Sequence, residues 1–380
     1  MTAASSNYLS TFLTGMVAFF TIAMRICAAE EAGQARRPEI SQARLMSAVV
    51  LVEGEGVGGR RSSGTGFVVS LNDWAYVVTN QHVLFGLRNL RLKTFAGRTI
   101  QPKTFYVSPK HDLARIGFSL TDVEGLSVLQ LSPAEPVFGQ AIYVVGNSAG
   151  GGVATFLSGN VEGIADDRIE VSAKFVEGNS GSPIVDARGR VLGVATYATR
   201  TAAPSWLQEK TRFAKVRRFA LRLEEATRFK KISWRQYQRR AARLQDYRAF
   251  LDDLFHLMAF DVEFMKTYAL HTHGGKYHNR AWARHVYQLI HNYGLLEAVT
   301  RQAYPVEIKR SIEAVSTQFD YELRAVMKGL RGIECETAFM RNNARLTYEM
   351  SAAVRRQEAR WKRRMMELCD AIDAQMQRRR

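Results

Sequence analysis

Glu177-Gly178-Asn179-Ser180-Gly181-Ser182-Pro183 sets a serine between two glycines at the end of an apolar segment. A serine hydroxyl is a weak nucleophile and reacts only beside a base and near donors for the charge that develops. Glycine before and after it lets the backbone turn so that the N–H groups of Gly178 and Ser180 aim at one point, where an oxyanion can sit. The same letters also make ordinary turns, so the reading depends on partners elsewhere in the chain.

Two partners lie upstream. Trp74-Ala75-Tyr76-Val77-Val78-Thr79-Asn80-Gln81-His82-Val83 is an aromatic and β-branched run, read as a strand, ending in a polar turn that carries His82. His111-Asp112-Leu113-Ala114-Arg115-Ile116 is a short acidic entry into a second apolar strand. In a triad of this type the histidine is the general base, and the aspartate holds its tautomer and orientation. The chain order His82, Asp112, Ser180, with gaps of 30 and 68 residues, is one of three orders by which unrelated folds reach this geometry.

The segment 45–223 resembles a trypsin-like (chymotrypsin-fold) serine peptidase, and within that clan it is most similar to the bacterial HtrA/Deg type. Four motifs carry the resemblance: Gly64-Thr65-Gly66-Phe67-Val68-Val69 before the histidine, Thr79-Asn80-Gln81-His82-Val83, Asp112-Leu113-Ala114, and Gly178-Asn179-Ser180-Gly181. Val144-Val145-Gly146-Asn147 and Gly193-Val194-Ala195-Thr196 add support. The resemblance implies an all-β double barrel and hydrolysis of peptide bonds with His82, Asp112 and Ser180 as catalytic residues and the Gly178 and Ser180 amides as the oxyanion hole. It implies no metal or organic cofactor. It also assigns Thr196, Tyr197 and Ala198 to one wall of the substrate pocket, with Lys174 near its base. Lys174 there favours an acidic substrate side chain or snorkels to solvent; a small or medium apolar preference is the stronger expectation. Digestive members of the clan carry an aspartate before the serine, which pairs with an amine freed by cleavage. Asn179 stands in that place and cannot form the ion pair, so the ordering of loops, rather than propeptide removal, is expected to set activity.

Length and composition bound the rest. A chain of 380 residues is long enough for two or three domains with cores of their own. Its 3 cysteines, Cys27, Cys335 and Cys369, are too few for a disulfide scaffold and none is paired at metal-ligand spacing. Cys335 and Cys369, both placed in predicted helices, form a bridge in an oxidising compartment or remain free buried thiols. Residues 11–24 are an apolar run interrupted only by Thr and Gly and followed by Arg25, short for a membrane span. With small residues at Cys27 and Ala29, residues 1–29 read as a signal peptide cleaved after Ala29, and the expected location is periplasmic or extracellular. An uncleaved signal anchor is the alternative.

Charge divides the chain unevenly. Of the 53 Lys+Arg and 36 Asp+Glu, residues 1–200 hold 18 and 16, so nearly all of the net +17 lies in the second half. Up to about residue 200 short apolar runs alternate with Gly, Ser, Asn and Asp, as in an all-β barrel pair. Beyond it long helical patterns take over, at about 233–270, 280–303, 306–330 and 334–378. Phe219-Ala220-Leu221-Arg222-Leu223 still alternates like a strand, so the barrel domain is extended over 45–231, with 30–44 as linker, and 232–380 is an all-α, basic hairpin or bundle. The competing reading makes 211–248 one basic helix.

Within 211–248, 13 Lys+Arg stand against 3 Asp+Glu, interleaved with Trp234, Tyr237 and Tyr247. Three uses remain open: a solvated face whose arginines pair with neighbouring helices, contact with an anionic envelope or membrane surface, or nucleic-acid binding. His271, His273 and His278 share a Gly-containing stretch without a carboxylate or cysteine, which reads as a His-rich exposed loop rather than a metal site. The function expected is that of a serine endopeptidase acting on protein substrates. The alternative is a silent protease-fold scaffold whose basic helices bind a polyanion.

Overall fold

The computed structural model describes residues 40–56, 61–119, 125–200, 216–259 and 305–378. Residues 1–29, the histidines from His271 to His291, and the expected helix at 280–303 lie outside the described residues. Among the described residues no helix is long and apolar enough to cross a membrane.

A first helix, α1 (Gln42–Ala48), capped by the Ser41 hydroxyl, leads into the strands. They are β1 (Val49–Glu55), β2 (Arg61–Leu71), β3 (Trp74–Thr79), β4 (Arg88–Thr94), β5 (Thr99–Ile100), β6 (Pro102–Val107), β7 (Ala114–Phe118), β8 (Ala141–Gly146), β9 (Thr155–Ile164), β10 (Arg168–Val171), β11 (Pro183–Val185), β12 (Val191–Arg200), β13 (Val216–Arg222) and β14 (Lys230–Ile232). One four-residue helix, α2 (Gln81–Leu84), follows β3. Among the described residues three long helices follow: α3 (Trp234–Ala259), α4 (Pro305–Arg331) and α5 (Ala338–Arg378).

The strands make two sheets. The first is a half-barrel in the order β14-β6-β7-β3-β2-β1-β4-β5, and the second is a closed barrel, β10-β13-β12-β11-β8-β9. Closure leaves the second sheet without an exposed edge. This is the double-barrel architecture of trypsin-like proteins, followed by helices. The two sheets pack through a shared cluster in which Phe67, Val69 and Val78 of the first meet Tyr143, Val145 and Val194 of the second. The connection between them is tied to both sheets near its middle, Leu129 bridging to Val69 and Leu131 to Val191.

The basic segment 211–248 is not one helix: its described part divides into β13, a turn, β14 and the start of α3. The strand-like alternation of 219–223 wins over helical charge spacing because β13 fills the gap between β10 and β12 and so completes the barrel. Three of its arginines pair with carboxylates within the fold, while Lys230, Lys231, Arg235, Arg239 and Arg248 stand exposed. Arg217 pairs with Glu170 at 2.6 Å, Arg222 with Glu135 and Glu224, and Arg240 with Glu334 and Glu336. The aromatics interleaved with them also pack inward. Trp234 stacks on Phe105 with ring centroids 4.3 Å apart, and Tyr237 is fully buried.

Cys335 lies in the connection between α4 and α5 rather than in a helix. Gly332 follows the last turn of α4, and Thr337 starts α5 by accepting the Met340 N–H at 3.1 Å on its hydroxyl. Both Cys335 and Cys369 are free, and burial raises both thiols above their ordinary range.

Candidate active site

Strand pairing explains why residues 30 apart meet. β3 and β7 are antiparallel neighbours with Thr79 opposite Ala114, so the turn leaving β3 lies beside the turn entering β7. His82 sits on the first turn and Asp112 on the second. The Asp112 carboxylate accepts twice from the same residue: the His82 backbone N–H donates to Oδ1 at 2.9 Å, and Nδ1 lies 2.6 Å from Oδ2. Because the carboxylate accepts at Nδ1, the proton is placed there and Nε2 is left as the basic nitrogen.

The surrounding amides brace this pair. Asn80 is fully buried, and its Nδ2 donates to Asp112 O at 2.9 Å and Thr196 Oγ1 at 3.1 Å, linking both turns to β12. Gln81, also fully buried, donates through Nε2 to Ser108 O at 2.9 Å and His111 O at 2.7 Å. His111 itself contributes its carbonyl. Its ring faces Asp167 at 3.9 Å, and burial, with the Lys110 charge, holds the imidazole below its ordinary value.

Ser180 arrives from the second barrel, just ahead of β11. The Thr65 N–H donates to Ser180 O at 2.9 Å, and a Cβ on Gly64 would lie 2.6 Å from Val83 Cγ1 and 3.4 Å from Ser180 O. Glycine at 64 therefore lets β2, the His82 turn and the serine loop come together at one place. The Ser180 hydroxyl donates to Thr196 O at 3.4 Å. Thr196 sits where the β12–β13 register shifts between Ala195 and Tyr197, a bulge of the kind that re-aims side chains beside functional sites.

The loop before Ser180 is held by its carbonyls. Ala149 N–H donates to Glu177 O at 2.7 Å, and the Thr65 hydroxyl donates to Gly178 O at 2.7 Å. With those oxygens turned to their donors, the N–H groups of Gly178 and Ser180 have no hydrogen-bond partner among the described residues. Gly178 is buried and Ser180 partly so, and N–H groups withdrawn from water are nearly always paired, so these two amides, at the positions the sequence indicates, are open to an anionic or carbonyl guest. Asn179 is fully buried and works within the loop, its Oδ1 accepting from Val176 N and Ser148 Oγ, each at 3.0 Å.

Gly178 has φ of +90°, and a Cβ there would fall 2.1 Å from Asn147 O and 2.7 Å from Gly150 N. Gly178→Ala is expected to displace the loop and cut kcat by about 10²-fold or more, the effect of losing one oxyanion donor. Steady-state kinetics on a peptide substrate, with a thermal melt to confirm folding, check it.

The residues assigned to the pocket are spread more widely. Thr196 is buried at the bulge, whereas Ala198 and Lys174 are exposed. Tyr197 stacks on Phe219 at 5.1 Å, and its hydroxyl accepts from Arg168 at 2.8 Å. Arg168 and Arg218, whose Nε donates to Phe175 O at 2.7 Å, were not singled out by sequence. The β10–β13 and β12–β13 pairings, with Arg218 opposite Val171 and Ala198, bring the second of these to the segment leading into the serine loop.

Residues 64–194 match the family model described as the trypsin-like peptidase domain. A protein of Bartonella henselae named as a probable periplasmic serine endoprotease, DegP-like, is 31% identical over 147 residues, 35% of this chain and 27% of its own. The chain carries a trypsin-like, HtrA/Deg-like peptidase domain. A Chlamydia trachomatis protein of the same printed name is 32% identical over 142 residues, 35% of this chain and 28% of that one. An uncharacterized protein of Sinorhizobium fredii is 33% identical over 147 residues, 37% of this chain and 22% of its own. The chain thus spans about a quarter of the length of these curated relatives. A solved serine endoprotease from Yersinia pestis overlaps 48% of this chain and 63% of its own, at 21% identity and a TM-score of 0.37. The fold of the peptidase domain stands on its strand order, not on that overlap.

Proposed function

We propose that the chain is a serine endopeptidase that hydrolyses peptide bonds of protein substrates through a His82–Asp112–Ser180 triad and an acyl-enzyme. The observation that carries this reading is the double hydrogen bond from His82 to Asp112, which orients the ring and leaves Nε2 basic. The reaction begins with rotation of the Ser180 hydroxyl away from Thr196 O toward His82. As Oγ attacks the scissile carbonyl carbon, its proton passes to Nε2, and the oxyanion is held by the Gly178 and Ser180 N–H groups. The imidazolium, stabilised by the Asp112 carboxylate, then gives that proton to the leaving amine. Water, deprotonated by the same nitrogen, releases the acyl group and restores the serine.

Asn179 supports activity without a newly cut N-terminus, since its side chain is engaged by Ser148 and Val176 instead. The relatives named as periplasmic fit an exported protein. The purified full chain is expected to cleave unfolded casein at neutral pH with its N-terminus unprocessed. Casein left intact by a chain whose fold is verified contradicts the reading. Cleavage only after a proteolytic cut ahead of β1 contradicts the role given to Asn179.

A further inference from the structure

The helices are not a separate appendage. Val52 and Phe105 of the first sheet and Leu84 of α2 share one continuous hydrophobic cluster with Tyr237 of α3, Phe319 of α4 and Met340 of α5. More telling is what the polar groups on α3 and α5 reach.

A helix leaves its last carbonyls without partners, and α2, which carries His82, is only four residues long. Two glutamines of α3, seven positions apart and so on one face, supply further donors beside the Leu87 N–H, which reaches Leu84 O at 3.2 Å. Gln238 Nε2 donates to Leu84 O and Gln245 Nε2 to Phe85 O, each at 2.8 Å. Gly86, at φ of +76°, has room for Gln245 only because it lacks a side chain: a Cβ would lie 1.7 Å from Gln245 Oε1. The Phe85 ring is wedged between two others, edge-on to Tyr237 of α3 at 6.4 Å and to Phe339 of α5 at 5.3 Å.

The loop entering Asp112 is gripped from the same side. The first N–H of α5, on Ala338, donates to Pro109 O at 2.9 Å. Arg240 of α3 pairs with Glu334 and Glu336, fastening α3 to the segment that precedes α5. Gln81 ties the 108–111 loop to the His82 helix, as described above, and the Tyr237 hydroxyl stands 3.5 Å from its Oε1. Burial pushes that hydroxyl well above its ordinary pKa, with the Asp112 and Glu336 charges adding to the effect. It therefore remains a neutral donor through the physiological range.

We propose that the helical half is a positioning element for the site: α3 and α5 hold the two loops at the separation at which His82 meets Asp112, through Gln238, Gln245 and the Ala338 N–H. This rests on the reading of His82 and Asp112 as base and orienting carboxylate. Displacing α3 or α5 then loosens the pair without touching substrate.

Two full-chain variants test it: Gln238→Ala with Gln245→Ala, and Ala338→Pro. Proline is tolerated at the first helical position, so the second variant removes one donor while the Thr337 cap and α5 persist. Selective ¹⁵N-histidine labelling, with His82→Gln for assignment, follows the His82 Nδ1–H resonance. Kinetics on a peptide substrate separate kcat from KM. Both variants are expected to broaden or shift that resonance upfield and to lower kcat by about 10- to 100-fold with KM little changed, the scale of a small misplacement of a reacting group. Lys309→Ala, which breaks the pair with Asp370 and Asp373 elsewhere in the bundle, is expected to change neither. An unaltered Nδ1–H resonance in both folded variants overturns the proposal. If the wild type turns over nothing, it is the peptidase reading that falls, and the resonance still decides the positioning claim.

Discussion

Ser180→Ala is expected to lower kcat by about 10⁶-fold, the scale seen when the nucleophile of such a unit is removed. Without Oγ no acyl-enzyme forms. What survives is the catalysis that binding and the Gly178 and Ser180 amides give to attack by water. The backbone of the site should be unaffected, because the hydroxyl makes one long contact, 3.4 Å to Thr196 O, while the Ser180 carbonyl still accepts from Thr65. Stability should therefore change by less than about 0.5 kcal/mol. Turnover of a peptide and a thermal melt, measured on one preparation, separate the two effects. A residual kcat within about 10-fold of wild type would mean that another group is the nucleophile.

Asp112→Asn is expected to lower kcat by about 10⁴-fold through a different cause. Asparagine has one acceptor oxygen where the carboxylate has two, and His82 presents two donors to them, its backbone N–H and Nδ1–H. If the amide oxygen keeps the backbone N–H, the NH₂ group faces Nδ1, which must then give up its proton and accept. The proton moves to Nε2, the nitrogen that should take the serine's proton, and the base is lost. If the amide turns over, NH₂ opposes the backbone N–H and the loop shifts. The loss should appear in kcat with little change in KM.

Much of the peptidase half was legible because its signals are local. The histidine follows a strand, the aspartate precedes one, and the serine lies between glycines, so each flanking motif names its own element. Antiparallel pairing of β3 with β7 then turns two local signals into a contact. The resemblance supplied the double barrel, and the closed six-stranded sheet and its half-barrel partner agree with it.

What was not legible depends on contacts distant in sequence. Nothing in the spacing of Gln238, Gln245 and Ala338 points to Leu84, Phe85 and Pro109, roughly 150 to 230 residues away; only the folded chain brings them together. The same holds for Trp234 and Tyr237. Set among arginines they left a stacking surface for a polyanion open beside a solvated face, and in the fold Trp234 packs on Phe105 and Tyr237 is enclosed against Phe85. Cys335 was assigned to a helix because 334–378 lacks glycine and proline. The Thr337 hydroxyl starts α5 later, a cap that helical periodicity does not register.

The central claim is that Ser180 is a nucleophile activated by His82. A fluorophosphonate that captures activated serines tests it most directly, read by mass spectrometry of the peptide spanning residues 175–188 from the intact, folded protein. The expected result is one stoichiometric phosphonyl adduct on Ser180, absent from Ser180→Ala and formed far more slowly in His82→Ala. An adduct on another residue, or labelling of Ser180 at the same rate without His82, contradicts the account.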